Sequence, residues 1–471
     1  MRRLHDCMVR VAIVGGGITG ACAASVLSES VSVTLFDQGR RGPGGRASHR
    51  SVRSTDSTVL PDGAEHALPA DDASTFEFDH GCQFTRADSP EMQRLVAGWV
   101  ERGWAAPWSG RFGALAAAGG VDESPAAASG EGDFFGLPGA PAPVYVGVGG
   151  MHLIPRRLLA CATAVDVRAG VRVGSVRQSD DGRIELLGVS GDAAFHDTPE
   201  SAAAAEAASS LGTFDAVLFT DVSSSFGGWH RASAGVPEEV AACVRHRVRV
   251  PLFSCMVAFD APLADAIALD GFKVGGSSAL WWASRSQSKP GFSAGAAECW
   301  TLVSTPAYAA AEIGRERMQD AVTGAFIPQS DDYLNTVPGP ALLAAFTAAI
   351  APLLDRAAVA MPRAVYVQAQ RWGSALPAPT SVGGRDANGR SGATTVEVME
   401  VQYEACTPPL LFDRPSGAAA VRARDFAAVD ELRVYYAGDF CSARAPGFEA
   451  AALSGLDAAQ HIASVLRTET I

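Results

Sequence analysis

The sequence has too little positive charge for a partner that is itself strongly negative. It contains 38 lysine and arginine residues against 51 aspartate and glutamate residues, which gives a formal net charge of −13. Nucleic acids and anionic membrane surfaces attract proteins with the opposite balance. We therefore expect no nucleic acid and no anionic membrane as a partner.

Long hydrophobic runs are also missing. No apolar run reaches the roughly 18 residues that a membrane-spanning helix needs. The first apolar run begins at Val11, which leaves little room before it for a secretory signal or a long transit peptide. We expect no membrane span and, by default, a cytoplasmic location.

The cysteine and histidine patterns that hold metals are absent. The nine cysteines are dispersed and none forms a CxxC pair, so neither a zinc site nor a redox-active dithiol is indicated. The nine histidines include no HxxH or HExxH arrangement, and we expect no metal. An odd, dispersed set of cysteines is typical of reduced thiols in a cytosolic chain.

A strand–turn–helix–strand pattern occupies residues 11–37. The apolar run Val11–Val14 predicts a buried strand, residues 21–27 predict an alanine-rich helix, and residues 31–36 predict a second strand that ends at Asp37. The first strand leads into a GxGxxG motif made of Gly15, Gly17 and Gly20. This order is typical of a βαβ unit that binds an adenine dinucleotide.

Each motif residue has a physical role in such a unit. Gly15 permits the tight turn, Gly17 lets the backbone approach a pyrophosphate at the helix N-terminus, and Gly20 allows close helix–strand packing. Asp37 can accept hydrogen bonds from a ribose. The predicted cofactor site also includes the neighbours of these residues, which are Ile18, Thr19 and Gln38.

A glycine pair and an arginine follow the acid. Gly44 and Gly45 allow backbone N–H groups to reach the same phosphate region. Arg46 supplies a fork of donors for a phosphate. A plain NAD domain usually continues after its acid with an ordinary loop and helix, so this segment favours a different dinucleotide.

With these motifs in place, the chain resembles flavin-dependent amine oxidases, and most closely their renalase-like branch. Further segments in the order of that branch carry the resemblance. They are Phe78–Phe84 (FDHGCQF), Tyr145–Met151 (YVGVGGM), Ser288–Gly291 (SKPG), Gln370–Trp372 (QRW), Gly438–Phe440 (GDF), Phe448–Ala451 (FEAA) and Leu453–Gly455 (LSG). Two departures are Phe440, where tryptophan is common, and Ala450, where glycine is common.

The resemblance implies non-covalent FAD held between both ends of the chain. At the carboxyl-terminal segment it implies contacts from Gly438, Asp439, Glu449 and Ala450, and from the N-terminus of a helix that starts at Phe448. It also places Gln83 beside the flavin and the backbone of Val173 beside the adenine. Cys406 is a remote candidate for covalent attachment.

The fold class that follows is α/β. We expect a two-domain FAD-binding fold, in which a Rossmann-like domain with three-layer ββα organisation interleaves with an α+β substrate domain containing a mixed or antiparallel sheet. The expected FAD-binding domain comprises residues 9–75, 145–220 and 434–471, and the substrate domain comprises 76–144 and 221–433. Low-complexity composition predicts surface insertions at 51–74, 114–143, 190–212 and 380–395. Alternation predicts one strand over 165–176.

The candidates near the reacting end are mostly neutral, and no catalytic residue is assigned. Gln83 can bond a flavin or substrate group without a charge cost, and His80 lies in the same segment. Aromatic candidates for a planar substrate are Trp281, Trp282, Trp300 and Trp372. Lys289 fits a turn charge near a phosphate. Arg371 fits either an anionic substrate or a structural role.

The leading hypothesis is an FAD-dependent oxidoreductase of the oxidase type. It would take a hydride from a reduced nitrogenous substrate at flavin N5 and use molecular oxygen as acceptor, giving hydrogen peroxide. By resemblance, the substrate is an isomeric dihydronicotinamide dinucleotide, with a small amine as the second choice. Two alternatives stay open: an NAD(P)H-dependent flavin reductase, and a catalytically decayed FAD-fold binding protein.

Overall fold

The computed structural model describes most of the chain. The described residues are 9–39, 41–60, 75–115, 121–122, 143–179, 181–190, 208–222, 236–245, 247–263, 266–293, 295, 297–316, 327, 330–378 and 425–468. The predicted insertion 380–395 and Cys406 lie outside these residues. Most of the predicted insertions 51–74, 114–143 and 190–212 also lie outside them.

The secondary structure consists of helices and strands in alternation. The strands are β1 (Arg10–Val14), β2 (Ser32–Asp37), β3 (His49–Arg53), β4 (Thr75–Asp79), β5 (Ala105–Pro107), β6 (Phe112–Leu115), β7 (Val121–Asp122), β8 (Tyr145–Gly147), β9 (Val165–Ala169), β10 (Val171–Gln178), β11 (Ile184–Ser190), β12 (Ser209–Phe214), β13 (Ala216–Phe219), β14 (Arg249–Phe259), β15 (Gly271–Val274), β16 (Leu280–Arg285), β17 (Glu298–Ser304), β18 (Ala364–Pro377), β19 (Phe426–Val429) and β20 (Val434–Ala437). The helices are α1 (Ile18–Leu27), α2 (Pro90–Glu101), α3 (Leu153–Cys161), α4 (Glu238–Arg245), α5 (Pro306–Arg315), α6 (Asp331–Thr336), α7 (Pro338–Ala357) and α8 (Phe448–Thr468).

The first sheet has six strands in the order β19-β20-β13-β1-β2-β9. Its central strands are parallel, and Ile13 of β1 lies between Leu218 of β13 and Leu35 of β2. Both faces of the sheet are covered, so Val11–Val14 of β1 is apolar along its whole length instead of alternating. The strand–helix–strand order predicted for residues 11–37 is formed by β1, α1 and β2.

This sheet is the middle of three layers. Val11 and Leu218 point to one face, where α1, α3 and α8 pack. Val14 and Phe219 point to the other face, where they pack against the antiparallel strands β10, β11 and β12. The predicted three-layer ββα organisation is confirmed.

Close packing of α1 against its neighbours depends on two glycines. A Cβ on Gly20 would lie 2.0 Å from the carbonyl oxygen of Gly15, and a Cβ on Gly455 would lie 2.3 Å from the carbonyl oxygen of Thr19. Only hydrogen fits at either position, because both neighbours are backbone atoms. The turn after β1 and the N-terminal half of α8 are thereby brought against the start of α1.

The second sheet has seven strands in the order β18-β14-β17-β16-β15-β6-β7. It is mixed, because β15 pairs with β6 in parallel and the other neighbours are antiparallel. Helices α5 and α7 cover one face, where the rings of Phe346 and Trp300 lie 5.3 Å apart. The mixed or antiparallel sheet expected beside the Rossmann-like part is therefore present.

One helical segment corrects the expectation about apolar runs. Within the described part of the chain, Asp331–Ala357 is long and apolar enough, by length and composition alone, to cross a membrane. Of its most apolar stretch of 18 residues, 39% is buried. The prediction that no run is long enough is wrong on this point. Leu342, Phe346 and Ile350 of this segment pack into the core beneath the second sheet, and a buried core helix passes the same test.

The strand predicted over 165–176 is two strands. Gly170 has φ 68°, a left-handed conformation that glycine adopts without strain. The chain turns there, so β9 joins the first sheet while β10 joins the three-stranded sheet. A regular alternation of apolar and polar residues in the sequence does not reveal such a turn.

Parts of the predicted insertions are strands. Residues 209–212 belong to β12 and pair with β11, residues 51–53 belong to β3 and pair with β4, and residues 114–115 and 121–122 form β6 and β7. These short pieces are therefore ordered strands, while the bounds of the insertions stay a prediction. Backbone hydrogen bonds to a neighbouring strand hold them, and composition does not show such bonds.

The division into domains stays a prediction, and the sheets show where some of its segments lie. Residues 426–429, from the predicted substrate part, pair with β20 in the first sheet. Residues 216–219, from the predicted cofactor part, pair with β1 in the same sheet.

Candidate cofactor and substrate site

A large cavity of about 1460 Å³ lies between the two sheets. Its wall combines the carboxyl ends of β1 and β2, the N-termini of α1 and α8, and one face of β14 and β18. Most of the predicted site residues line it, namely Gly15, Gly17, Ile18, Thr19, Asp37, Gln38, Gly44, Gly45, Arg46, His80, Gln83, Val173, Trp372, Asp439 and Glu449. Residues from both ends of the chain thus meet around one space.

Several predicted residues are not on the wall of this cavity. They are Gly20, Gly438, Ala450, Trp281, Trp282, Trp300, Lys289 and Arg371. Trp300 is fully buried among the core residues beneath the second sheet. Arg371 donates to the carbonyl oxygen of Ile327 at 3.3 Å, and burial lowers its pKa to about 10.

The carboxylate of Asp37 is held by the backbone around it. It accepts hydrogen bonds from Gly16 N at 2.7 Å and from Gly39 N at 2.8 Å. Burial raises the pKa of Asp37, while these two N–H donors act to lower it. Each carboxylate oxygen can accept more than one hydrogen bond, so the side chain still has acceptor capacity for a ribose hydroxyl.

Two bare backbone segments face each other beside Asp37, and we name Gly17 and Gly45 the phosphate cradle. A Cβ on Gly45 would lie 3.1 Å from Gly17 Cα, and a Cβ on Gly17 would lie 3.9 Å from Gly45 Cα. Gly17 is the N-cap of α1 and offers no side-chain cap. The first N–H groups of α1 are therefore free for an anion, as a dinucleotide diphosphate requires.

A contact that the sequence did not indicate holds the loop in front of this cradle. Arg156 of α3 donates from Nε to the carbonyl oxygen of Pro43 at 2.8 Å and from Nη2 to that of Arg41 at 2.5 Å. Nothing in the sequence around residue 156 points to this role, because it depends on α3 packing beside the loop.

Arg46 and Asp439 bind each other. Arg46 donates from Nη1 to Asp439 Oδ2 at 2.8 Å, from Nη2 to Asp439 Oδ1 at 2.5 Å, and from Nη1 to the carbonyl oxygen of Ala375 at 2.9 Å. Arg46 was predicted to bind a phosphate, and Asp439 was predicted to contact FAD. In the structure these two side chains instead form a bidentate ion pair with each other. This pair joins the two ends of the chain at the cavity wall.

Glu449 has a structural contact instead of a free carboxylate. It accepts hydrogen bonds from the backbone N–H groups of Asp88 at 2.8 Å and Ser89 at 2.9 Å, at the N-terminus of α2. What α8 presents to the cavity is its first turn, since Gly447, Phe448 and Ala451 line the wall. The positive end of the helix dipole is therefore available to a negative group.

His80 is a neutral imidazole on the cavity wall. It is 2% exposed, and burial, reinforced by the nearby cations Arg50 and Arg41, lowers its pKa well below the ordinary value. Its ring stacks on Trp372 at 5.5 Å, and Trp372 Nε1 donates to its carbonyl oxygen at 3.0 Å. Among the described residues, neither ring nitrogen has a hydrogen-bond partner.

Gln83 presents a fixed amide. Its Oε1 accepts from Trp282 Nε1 at 3.2 Å and from Ser284 Oγ. Its Nε2 has no partner within the described part of the chain. Trp282 therefore acts behind the wall by orienting Gln83, so that the amide N–H₂ is left as a donor for a bound group.

Lys289 lies behind the same segment in a buried ion pair. Its Nζ is 3.1 Å from Asp79 Oδ2 and 2.9 Å from the carbonyl oxygen of Gln83. Burial alone would raise the pKa of Asp79, but Lys289 and His49 outweigh it and lower that pKa to about 2. Lys289 thus positions the Gln83 segment. Asp79 was not singled out from the sequence, although it belongs to the FDHGCQF segment.

Three buried side chains could form a cation site by proximity alone. Ligand atoms of His49, Asp79 and His152 lie within 4.8 Å of one another. The two imidazole rings are stacked at 4.7 Å and 16°. The Asp79 carboxylate already binds Lys289, which is a cation.

Arg50 is a further wall residue that the sequence did not indicate. It lies on β3, is 8% exposed, and lines the cavity. Its guanidinium donates from Nη1 to Gln368 Oε1 at 2.7 Å and from Nη2 to Gln370 Oε1 at 3.3 Å. We name Arg50, His80, Gln83 and Trp372 the substrate wall.

Comparison with known proteins supports the fold. Residues 13–98 match the family of NAD(P)-binding Rossmann-like domains. Comparison with curated proteins finds no match. A solved structure of a protein assigned as a protoporphyrinogen oxidase, from Exiguobacterium sp. 255-15, is 14% identical with a TM-score of 0.53, over 96% of this chain and 98% of that chain. Wild-type putrescine oxidase bound to putrescine is 12% identical with a TM-score of 0.50, over 97% of this chain and 99% of that chain.

Identities this low show a shared fold and nothing finer. The similar structures extend over nearly the whole chain, so the likeness includes both sheets and the space between them. The predicted α/β fold, in which a Rossmann-like part is combined with a mixed sheet, is confirmed.

Proposed function

We propose that this protein is an FAD-dependent oxidoreductase of the oxidase type that binds FAD non-covalently. The observation that carries the proposal is the single cavity that joins the phosphate cradle and Asp37 at one end to the N-terminus of α8 at the other. Its volume of about 1460 Å³ exceeds the roughly 300–1,000 Å³ of a pocket for one drug-sized ligand. The space suits a dinucleotide together with a substrate.

The residues fit FAD by their chemistry. The phosphate cradle and the N-terminus of α1 would hold the diphosphate, and Asp37 would accept from the adenosine ribose. The first turn of α8 would lie at the flavin end and stabilise negative charge there. Bound FAD would supply hydride acceptance at N5 and transfer of the two electrons to molecular oxygen, giving hydrogen peroxide.

The substrate wall would position the reductant. The neutral imidazole of His80 can accept a hydrogen bond from the substrate, and Gln83 Nε2 can donate one to it. The ring of Trp372 offers a flat surface for a planar group. None of these roles requires an acid–base triad, since hydride transfer needs mainly orientation and exclusion of water.

The finer part of the proposal is the renalase-like reaction. The ordered segments from Phe78–Phe84 to Leu453–Gly455 support it. The substrate proposed is a reduced nitrogenous compound, with an isomeric dihydronicotinamide dinucleotide first and a small amine second. A cytoplasmic location is part of the same proposal.

The first test is the absorption spectrum of the purified protein. We expect flavin bands, and we expect acid precipitation to leave the yellow colour in the supernatant. Gly45→Val should remove the colour, because its side chain fills the phosphate cradle. Gly174→Ala is the matched control, since a Cβ at Gly174 meets no atom within 4 Å. A colourless wild-type protein that FAD does not reconstitute would sink the proposal, and colour in the pellet would overturn non-covalent binding.

Anaerobic reduction then separates the alternatives. Bleaching by isomeric dihydronicotinamides and not by amines would support the first substrate class, and the reverse would support the second. Fast bleaching by ordinary NADPH would favour a flavin reductase. An FAD-loaded protein that none of these compounds bleaches would favour a binding protein.

A further inference from the structure

Among the residues that the structure describes, no carboxylate pairs with the guanidinium of Arg50, which lies in the cavity wall. Within the described residues, its hydrogen bonds go to the neutral amides of Gln368 and Gln370, and the hydroxyl of Tyr366 also interacts with it. Its Nε is buried and has no hydrogen-bond partner in the same part of the chain. A buried charge is costly unless an opposite charge pairs with it, so this arrangement is incomplete as it stands.

Six acids line the cavity, of which Asp221 and Asp331 form no ion pair with Arg50 that the described residues show, and the other four are engaged elsewhere. Asp439 pairs with Arg46, Glu449 caps α2, Asp37 accepts from backbone N–H groups, and Asp88 pairs with Arg86. His80, which lies near Arg50, is neutral and contributes no negative charge.

The free donors of Arg50 suit an oxyanion. A guanidinium carries five N–H donors, and its two amide contacts use one on each Nη. Nε is closed off from the cavity, so the donors left for an anion are the second N–H on each Nη, a planar fork that suits a carboxylate or a phosphate. The contacts with Gln368 and Gln370 hold this fork in place, so its geometry is set before any anion arrives.

Arg50 lies where a group of the substrate would bind. Gln368 and Gln370 lie on β18, as does Trp372, whereas the phosphate cradle lies at the end of β1. Resting on the function proposed above, we propose that Arg50 binds an oxyanion of the substrate, and that the substrate is an organic acid or phosphate ester rather than a simple diamine. The neighbouring neutral groups, His80 and Gln83, would then contact the part of the substrate that is oxidised.

The test compares charged and neutral probes of the same shape. We titrate the FAD-loaded protein with benzoate, phenyl phosphate and benzamide, and follow the flavin spectrum. Wild type should bind one of the two anions at least about tenfold more tightly than benzamide, because a hydrogen bond to a charged group is worth that much. The preferred anion identifies the oxyanion as carboxylate or phosphate.

Three variants assign the preference to Arg50. Arg50→Gln should remove it, while Arg50→Lys should retain part of it. Arg53→Gln is the matched control, because Arg53 lies on the same strand but is exposed and pairs with Asp56; its preference should equal that of wild type. Thermal unfolding of each variant shows that it is folded.

Several outcomes would refute the proposed role of Arg50. Equal binding of anions and benzamide by wild type, or an unchanged preference in Arg50→Gln, would refute the proposal. Loss of FAD affinity in Arg50→Gln with the preference intact would place Arg50 at the cofactor and also refute it. If the protein holds no flavin, the function proposed above fails, and calorimetric titration with the same probes still tests Arg50 by itself.

Discussion

The two ends of the cavity are built in different ways. At the phosphate cradle the contacts come from the backbone of Gly17 and Gly45 and from the first turn of α1, all near one another in sequence. The substrate wall is built from side chains on β3, the segment after β4, and β18. A backbone site depends on local spacing, whereas a side-chain site depends on which strands the fold places together.

The largest expected effect tests the backbone end. Gly20→Val should prevent folding or cost more than about 4 kcal/mol of unfolding free energy, because its Cβ would lie 2.0 Å from the Gly15 carbonyl oxygen. Soluble yield and urea denaturation measure this. Gly174→Ala should change little. A Gly20→Val protein as stable as wild type would show that α1 does not pack as described.

The ion pair that joins the two ends of the chain comes next. Asp439→Ala should cost about 3 kcal/mol, because it leaves the Arg46 guanidinium without its partner in a largely buried place. Asp166→Ala breaks an exposed pair with Arg168 and should cost less than about 1 kcal/mol. Equal urea midpoints for the two variants would show that the Arg46–Asp439 pair stabilises the protein no more than an exposed pair does.

Acid should weaken the support behind the substrate wall. The pKa of Asp79 is lowered from 3.8 to about 2, so its stabilisation is complete above pH 3.8 and is lost as the pH falls through about 2. The difference in unfolding free energy between wild type and Asp79→Asn should shrink by about 2 kcal/mol over that range. Asp166→Asn, at an exposed aspartate, is the control. A constant difference between pH 5 and pH 2 would refute the assignment.

The smallest expected effect concerns the stability cost of a buried cation that has no opposite charge beside it. Arg50→Met should leave the ligand-free protein as stable as wild type or more stable by up to about 1 kcal/mol, because it removes a buried cation that lacks an anion. Asp439→Ala, in contrast, should lower the free energy of unfolding. Thermal unfolding measures both, with Arg53→Met as the control. A marked loss of stability in Arg50→Met would make Arg50 a structural residue.

Much of the backbone end was predictable. Gly15, Gly17, Gly20 and Asp37 follow from spacing and flanking strands, and the structure places them at the turn after β1 and the end of β2. The mutual pairing of Arg46 and Asp439 was not predictable, since 393 residues separate them. Each has a sensible cofactor role alone, and only their contact shows that they bind one another.

The side-chain end was predicted less well. His80, Gln83 and Trp372 were chosen from segments that resemble a family, and they lie on the wall. Trp281 and Trp282 do not, because both pack in a hydrophobic cluster, and Trp282 holds Gln83 from behind the wall. Arg50 and Asp79 carry no motif of their own, so nothing in the sequence distinguished them.

The sequence by itself determined the βαβ unit and the glycine turn after β1, because glycine spacing and apolar runs act over a few residues. The tertiary structure alone decided which charges are neutralised and which are left for a ligand. Whether Arg46 or Arg50 has an acid beside it depends on strands that are distant in sequence, and burial then makes the difference between a pair and an isolated charge large.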